Sequence, residues 1–362
     1  MISPIDMEDS SATASVWLLL GHKAGDNNQV LALAESLGVN WQEKHLRYRS
    51  TEILSNLLLG PNLFGIDRSS RSKINPPWPR LVISAGRRNE PVALWIRNKA
   101  PDTVKLVHIG RPWASPDSFD LIVTTPQYQL ADAPNVLRFD LPLYRVSGSH
   151  ENEEVAAWEA RLSHLPKPWF AVLLGGESGK FYLDANKARR IGRIASELVA
   201  RQGGSLLITT SARSPRQAGD DVCKAVSVPH FFFDWQPGAA ENPYRAFLNL
   251  ADAFIVTGDS MSMLAEACAA RKPVYIFDMN NTGPGGFRRL LRSLSYKSLT
   301  HELAQHIAPL RMRRDVSLLH EALIEKGRAV WLGQEFVDTN LPPLPDTTQA
   351  TLRVLELLDT SR

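Results

Sequence analysis

Long apolar runs are missing from this sequence. The longest, such as Val16–Leu20 and Phe170–Leu174, span about five residues, whereas a helix that crosses a membrane needs ~20. Cysteine is scarce: Cys223 and Cys268 are the only two in 362 residues. Both sit in apolar or helical context, which is no disulfide framework and predicts a reducing compartment. Charge of one sign is missing too. Lys and Arg number 41 against 38 Asp and Glu, a formal net charge of +3, too little to signal a nucleic-acid partner. Metal motifs are absent: no HxxxH, CxxC or HExxH argues against zinc, and no D-x-D pair follows a core strand. There is no GxSxG elbow of an α/β-hydrolase and no GxGxxG of a nicotinamide dehydrogenase. No metal and no cofactor is therefore expected.

What is there is a globular composition, 44% apolar and 22% charged, on a length that suggests two ordinary domains. Residues 1–15 carry Asp6, Glu8 and Asp9 with no long apolar stretch. They read as a disordered tail rather than a secretory signal, which predicts a cytoplasmic protein. From residue 16 the pattern is strand then helix. Strands are expected at Val16–Leu20, Leu81–Ser84, Val104–Ile109, Asp120–Thr124 and Asn135–Phe139, with helices at Asn27–Leu37, stopped by Gly38, and Pro91–Lys99. Residues 146–168 interrupt the rhythm with a charged helix, Glu151–Leu162, and read as a linker. The rhythm restarts with strands at Trp169–Leu174, Ser205–Thr209, His230–Phe233, Ala253–Thr257 and Pro273–Phe277 and a long helix at Asp184–Arg201. Continuous apolar strands separated by helices mean parallel sheets covered on both faces. The expectation is an α/β protein of two doubly wound domains, 16–145 and 169–336. A proline-rich segment and a last helix, Thr348–Leu358, fill 337–362.

Ligands of open α/β sheets bind beyond the carboxyl ends of the strands, so the turns there are the candidates. In Val256–Phe277 a strand ends in Gly258-Asp259-Ser260 and a helix begins. The N–H groups of its first turn suit a phosphate, with Met261 in that turn and Ser260 and Ser262 adding hydroxyls. Glu266, further along, could accept the two hydroxyls of a ribose. The alternative is an ordinary Ser N-cap and a solvated glutamate. Leu173–Phe181 carries Gly175, Gly176, Ser178 and Gly179, but Phe181 after Lys180 excludes a Walker A loop. Leu207–Pro215 offers Ser211 and Arg213 to an anion. In Leu19–Gln29, His22, Lys23 and Asp26 cluster at a helix start. Asp26 is the best candidate base there, the alternative being that it merely caps the helix. Arg87 and Arg88 follow the Leu81–Ser84 strand on the same edge. Late in the chain, Arg288, Arg289, Arg292, Arg311, Arg313 and Arg314 interleave with leucines. They form either a solvated helix face or a peripheral contact with anionic lipid.

GHKAGDNNQ, SAGRRN, GRPW, LLGGESG, TTSARSP and ADAFIVTGDSMSMLAEACAARKPVYIF follow one another in order. This series resembles the bacterial family related to the plant mitochondrial-fission ELM protein, whose members look like GT-B glycosyltransferases. The resemblance spans about residues 16–335. It implies two Rossmann-like domains facing across a cleft, the C-terminal one holding a nucleotide sugar, the N-terminal one an acceptor, and the final helix returning to the first domain. Ser260–Glu266 is also similar to the donor loop of the peptidoglycan lipid-intermediate transferases. That likeness implies Glu266 as the ribose ligand and puts Asp26 where their catalytic histidine lies. The expected function is a metal-independent inverting transferase. Its donor is a nucleotide sugar and its acceptor is unidentified, with a glycolipid among the options. A nucleotide-sugar epimerase of the same fold and a non-catalytic scaffold are the alternatives.

Overall fold

The computed structural model describes residues 15–49, 60–145, 152–178, 181–279, 314–337, 341, 342, 344 and 346–359. Gly179 and the arginines from Arg288 to Arg313 lie outside these, as does most of the proline-rich segment. The chain divides into two units: one of residues 1–123, 132–137 and 347–362, the other of 124–131 and 138–346. Among the described residues no helix is long and apolar enough to cross a membrane.

The first unit is built on a six-stranded parallel sheet of order β2-β1-β3-β4-β5-β6. Its strands are β1 (Val16–Leu20), β2 (Trp41–His45), β3 (Leu81–Ala85), β4 (Lys105–Ile109), β5 (Leu121–Thr124) and β6 (Val136–Arg138). Helices α1 (Ala24–Leu37) and α2 (Glu90–Lys99) cover it. β1 and β3 are buried at every position, as strands covered on both faces must be. α1 ends at Gly38 with φ +65°, the left-handed cap that the sequence led one to expect.

The second unit holds α3 (Asn152–Leu162), β7 (Trp169–Leu173), α4 (Ala185–Ala200), β8 (Ser205–Thr209), α5 (Ala218–Cys223) and β9 (His230–Phe233). It continues with α6 (Tyr244–Leu250), β10 (Ala253–Thr257), α7 (Met261–Ala269), β11 (Val274–Phe277), α8 (Ser317–Glu325) and β12 (Val330–Trp331). Its strands are parallel in the order β12-β11-β10-β7-β8-β9. Counted within the unit this is 3-2-1-4-5-6, the order of dinucleotide-binding sheets. α4 shows how the local sequence sets an element. Asp184 caps it, accepting from the N–H groups of Asn186 (3.0 Å) and Lys187 (2.9 Å). Ala188, Ile191, Gly192, Ala195, Ser196 and Val199 then bury one stripe against the sheet.

Both sheets are doubly wound, so the α/β class and the two Rossmann-like units stand. α9 (Asp346–Asp359) returns to the first unit. There Arg80 Nη2 donates to the carbonyl of Leu358 (2.9 Å), Arg353 Nη2 to that of Pro134 (3.1 Å), and Ser36 and Thr351 pair their hydroxyls at 2.6 Å. β2 and β12 escaped sequence reading. β2 is an edge strand whose WQEKH stays largely in solvent, so no apolar run marks it; β12 is two residues long.

Candidate functional site

Each sheet has one place where successive connections leave in opposite directions, and a crevice opens there at the carboxyl ends of the strands. In the second unit it lies between β7 and β10. Gly175-Gly176 follow β7, Gly258-Asp259-Ser260 follow β10, and the loop after β8 brings Ser211, Arg213 and Ser214 alongside.

The loops are tied tightly. The Gly175 N–H donates to Thr257 Oγ1 at 2.7 Å, and the Gly176 N–H donates to Asp259 Oδ2 at 3.0 Å. The Ser214 hydroxyl reaches the carbonyls of Leu174 (2.8 Å) and Gly175 (2.6 Å), and accepts from the Ser211 N–H at 2.9 Å. A Cβ on Gly175 would stand 2.4 Å from Asp259 Oδ1, and one on Gly176 would stand 2.0 Å from the Arg213 carbonyl oxygen. Only glycine permits this approach.

Asp259 is the centre of the arrangement. It is 1% exposed. Its Oδ2 also pairs with Arg213 Nη1 at 3.1 Å, while Oδ1 has no hydrogen-bond partner among the described residues. Arg213 Nη1 is also 3.4 Å from the Glu177 carbonyl. Arg213 therefore meets protein through one of its nitrogens, and its side chain stays 39% exposed. A guanidinium has five N–H donors, so Asp259 orients the group and leaves donors for a ligand. Ser260 holds the N-cap position of α7 without making a side-chain cap, so the helix start keeps uncapped N–H groups at Met261 and Ser262. Ser178 accepts from Arg314 Nη1 (3.2 Å), whose Nε donates to Gln127 Oε1 (2.9 Å). Arg314, one of the arginines read as either a solvated face or a lipid contact, is thus engaged within its own unit.

Glu266 is half-buried one turn and a half into α7, where the Tyr244 hydroxyl from α6 donates to its carboxylate. Burial raises the Glu266 carboxyl above its ordinary range, against the pull of Tyr244, Arg245 and Arg145. Burial and the neighbouring carboxylate raise the Tyr244 phenol well above its own. Tyr244 was not legible as a site residue, because nothing in NPYRAF signals that its hydroxyl turns to α7.

In the first unit the corresponding point lies between β1 and β3. Asn27 clamps the strand end: its Nδ2 donates to the Gly21 carbonyl (2.8 Å) and its Oδ1 accepts the Gly21 N–H (2.9 Å). Asn89 ties the two strands together by donating to the carbonyls of Leu19 (2.8 Å) and Ala85 (3.1 Å), while Tyr48 donates to its Oδ1. Asp26 is not the helix cap; Lys23 holds that position and Asp26 lies in the first turn. Its carboxylate stands over Gly86, where a Cβ would lie 2.5 Å from Oδ2 and φ is +73°. It makes no hydrogen bond among the described residues. His22 and Lys23 are exposed. Arg88 Nη1 lies 3.0 Å from His22 Nε2 and its guanidinium 5.5 Å from the Tyr48 ring. Arg87 stacks on Trp113 at 4.8 Å. Among the described residues no group of three or more His, Cys, Asp or Glu is placed to hold a metal ion.

The profile of the family described as mitochondrial fission ELM1 matches residues 24–358, and the chain belongs to that family. The mitochondrial fission protein ELM1 of Arabidopsis thaliana is 27% identical over 241 residues, 60% of this chain and 56% of that protein. The matched stretch thus spans little more than half the length of this plant relative. Protein RP120 of Rickettsia prowazekii (strain Madrid E) is 24% identical over 339 residues, 85% of this chain and 93% of that one. Among solved structures, MurG of Acinetobacter baumannii is similar at 11% identity with a TM-score of 0.41, covering 96% of this chain and 99% of that one.

Proposed function

We propose that this member of the mitochondrial fission ELM1 family is a metal-independent, inverting glycosyltransferase of the GT-B type. The second unit takes a nucleotide sugar and the first takes the acceptor. One observation carries the reading. At the switch point of a 3-2-1-4-5-6 sheet, a glycine pair, an oriented arginine and an uncapped helix start come together. Backbone N–H groups, a positive dipole end and a guanidinium together suit a diphosphate.

In this reading Ser211, Arg213 and the start of α7 at Gly258–Ser262 hold the diphosphate, and Gly175 and Gly176, whose N–H groups are taken by Thr257 and Asp259, line it without side chains. Glu266, shared with Tyr244, accepts from the ribose hydroxyls. The acceptor hydroxyl attacks the anomeric carbon, Asp26 takes its proton, and the bond to the diphosphate breaks. The helix N–H groups and Arg213 stabilise the charge that develops on the leaving group, so no metal is required. The reaction belongs in the cytoplasm, and a lipid-linked acceptor would bring the protein to the membrane surface.

One observation favours a second reading, a catalytically silent scaffold. The Asp259 carboxylate beside the helix start repels an incoming anion. Incubating the pure protein with several nucleotide sugars and following free nucleotide separates the readings. Nucleotide release supports transfer, an epimeric sugar without acceptor indicates an epimerase, and no binding of any nucleotide sugar indicates the scaffold.

A further inference from the structure

A cavity of about 710 Å³ lies beyond the carboxyl ends of β1 and β2, and its charged lining is all cationic. His22, His45, Arg47, Tyr48, Arg49 and Arg88 face it. A second cavity of about 460 Å³ shares His45 and Arg47 and adds Ser69, Ser70 and Lys73. No carboxylate lines either one among the described residues. We propose that this joined basic depression is a phosphate-binding site, and that the acceptor of the transfer carries its phosphate there. The second half rests on the transferase reading above; the first half does not.

The backbone beneath the cations is fixed. The Arg47 N–H donates to Ser70 Oγ (2.9 Å) and the Arg47 carbonyl accepts from the Asp67 N–H (2.9 Å). The Arg49 N–H donates to the Gly65 carbonyl (2.9 Å). Their guanidinium groups stay exposed and make no hydrogen bond to the described residues. Carboxylates stand near the rim: Glu43 Oε2 lies 2.8 Å from Nε2 of the lining His45, and both side chains are exposed, while Asp67 follows the Arg47 pairing. The Ser70 N–H, at 2.7 Å, holds the Asp67 carboxyl below its ordinary range because Asp67 caps the helical turn Arg68–Arg71, and Arg47 is the smallest of the causes. Several cations around one concavity repel each other, and the arrangement favours a ligand that brings more than one negative charge. Planar guanidinium forks match the oxygens of a phosphate. Tyr48, edge-on to His22 at 5.5 Å, adds an aromatic wall, and the volume is that of a site for a small molecule rather than a bare ion. Asp26 stands against Gly86, between the two loops that supply His22 and Arg88, so a base stands beside the phosphate's loops.

The test uses the full chain and two probes. Glucose 1-phosphate is titrated by calorimetry. Phosphatidylcholine vesicles with and without a long-chain prenyl phosphate are sedimented with the protein. The expected result is that at least one probe binds and that Arg47→Ala with Arg49→Ala weakens it about tenfold or more, from the loss of charge-assisted hydrogen bonds. The pair Arg47→Lys with Arg49→Lys keeps the charge, should bind between the two, and serves if the alanine pair fails to fold. Binding of glucose 1-phosphate alone marks a soluble phosphorylated acceptor; binding of prenyl phosphate vesicles alone marks a lipid-linked one. No binding of either probe, or equal binding by the alanine pair, overturns the proposal. Nucleotide-sugar binding measured in parallel keeps the two failures apart. If it persists while both phosphate probes fail, the phosphate site falls and the transferase reading stands. If it is absent while the phosphate probe binds, the reverse holds.

Discussion

Replacing Asp259 tests whether the second crevice is organised by a buried carboxylate. Asp259→Ala removes the acceptor of the Gly176 N–H, which is itself buried. A buried donor left without a partner costs ~1–3 kcal/mol. It also breaks the 3.1 Å pair with Arg213. Removing one member of a fully buried pair costs ~3–5 kcal/mol. Arg213, however, is 39% exposed and can turn to water, so this part falls towards the ~1 kcal/mol of an exposed pair. Relief of the unpartnered Oδ1 offsets some of the loss. The net expectation is a destabilisation of ~2–3 kcal/mol. Asp259→Asn keeps an oxygen for the Gly176 N–H and loses only the charge, so it should cost ~1 kcal/mol. Urea unfolding of the three proteins reads these differences, and hydrogen exchange at the Gly176 amide localises them. An alanine variant within ~0.5 kcal/mol of the parent, the range of an ordinary surface change, would refute the reasoning. So would an asparagine variant as unstable as the alanine one.

Asp26→Asn should slow transfer by ~10²–10⁴, the worth of a general base. Stability should move by under ~1 kcal/mol, because only an acidic charge near a helix start is lost; near-normal transfer would move the search for the base to His22. Glu266→Ala should weaken nucleotide-sugar binding by ~1–3 kcal/mol, and calorimetry showing unchanged affinity would remove Glu266 from the site. Activity should survive EDTA, and a complete loss restored by magnesium would end the metal-free mechanism. Stability should fall with acid in both units, since burial lowers His108 and His320 from 6.5 to about 4 each. Between those values the unfolded chain binds a proton that the folded one refuses, so each histidine costs ~3 kcal/mol as pH drops from 6.5 to 4. His108→Gln should flatten part of that slope in thermal melts, and an unchanged slope would show that this histidine is not responsible.

Much of the architecture could be read from residue order alone. Strands such as Val16–Leu20 and Ala253–Thr257 are buried on both faces, so they must be continuous apolar runs. The glycine after Leu37 had to mark a helix end, because only that residue takes φ +65° at no cost. The polar turns at strand ends were visible for the same reason: they interrupt runs that have no other cause to stop. Edge strand β2 was not visible, since an edge strand is held by backbone pairing and needs no apolar code. With it went His45, Arg47, Tyr48 and Arg49, which the β1–β2 pairing sets beside His22 and Arg88. Tertiary structure alone decided the partners. Asp259, read as part of an anion cradle, is the buried acceptor that orients Arg213. Glu266 shares its carboxylate with Tyr244 from another helix. Asp26 gives up the cap position to Lys23 and stands over Gly86, sixty residues on. Periodicity records which face of an element is buried, whereas the group a side chain meets depends on how distant strands register, and no local pattern carries that.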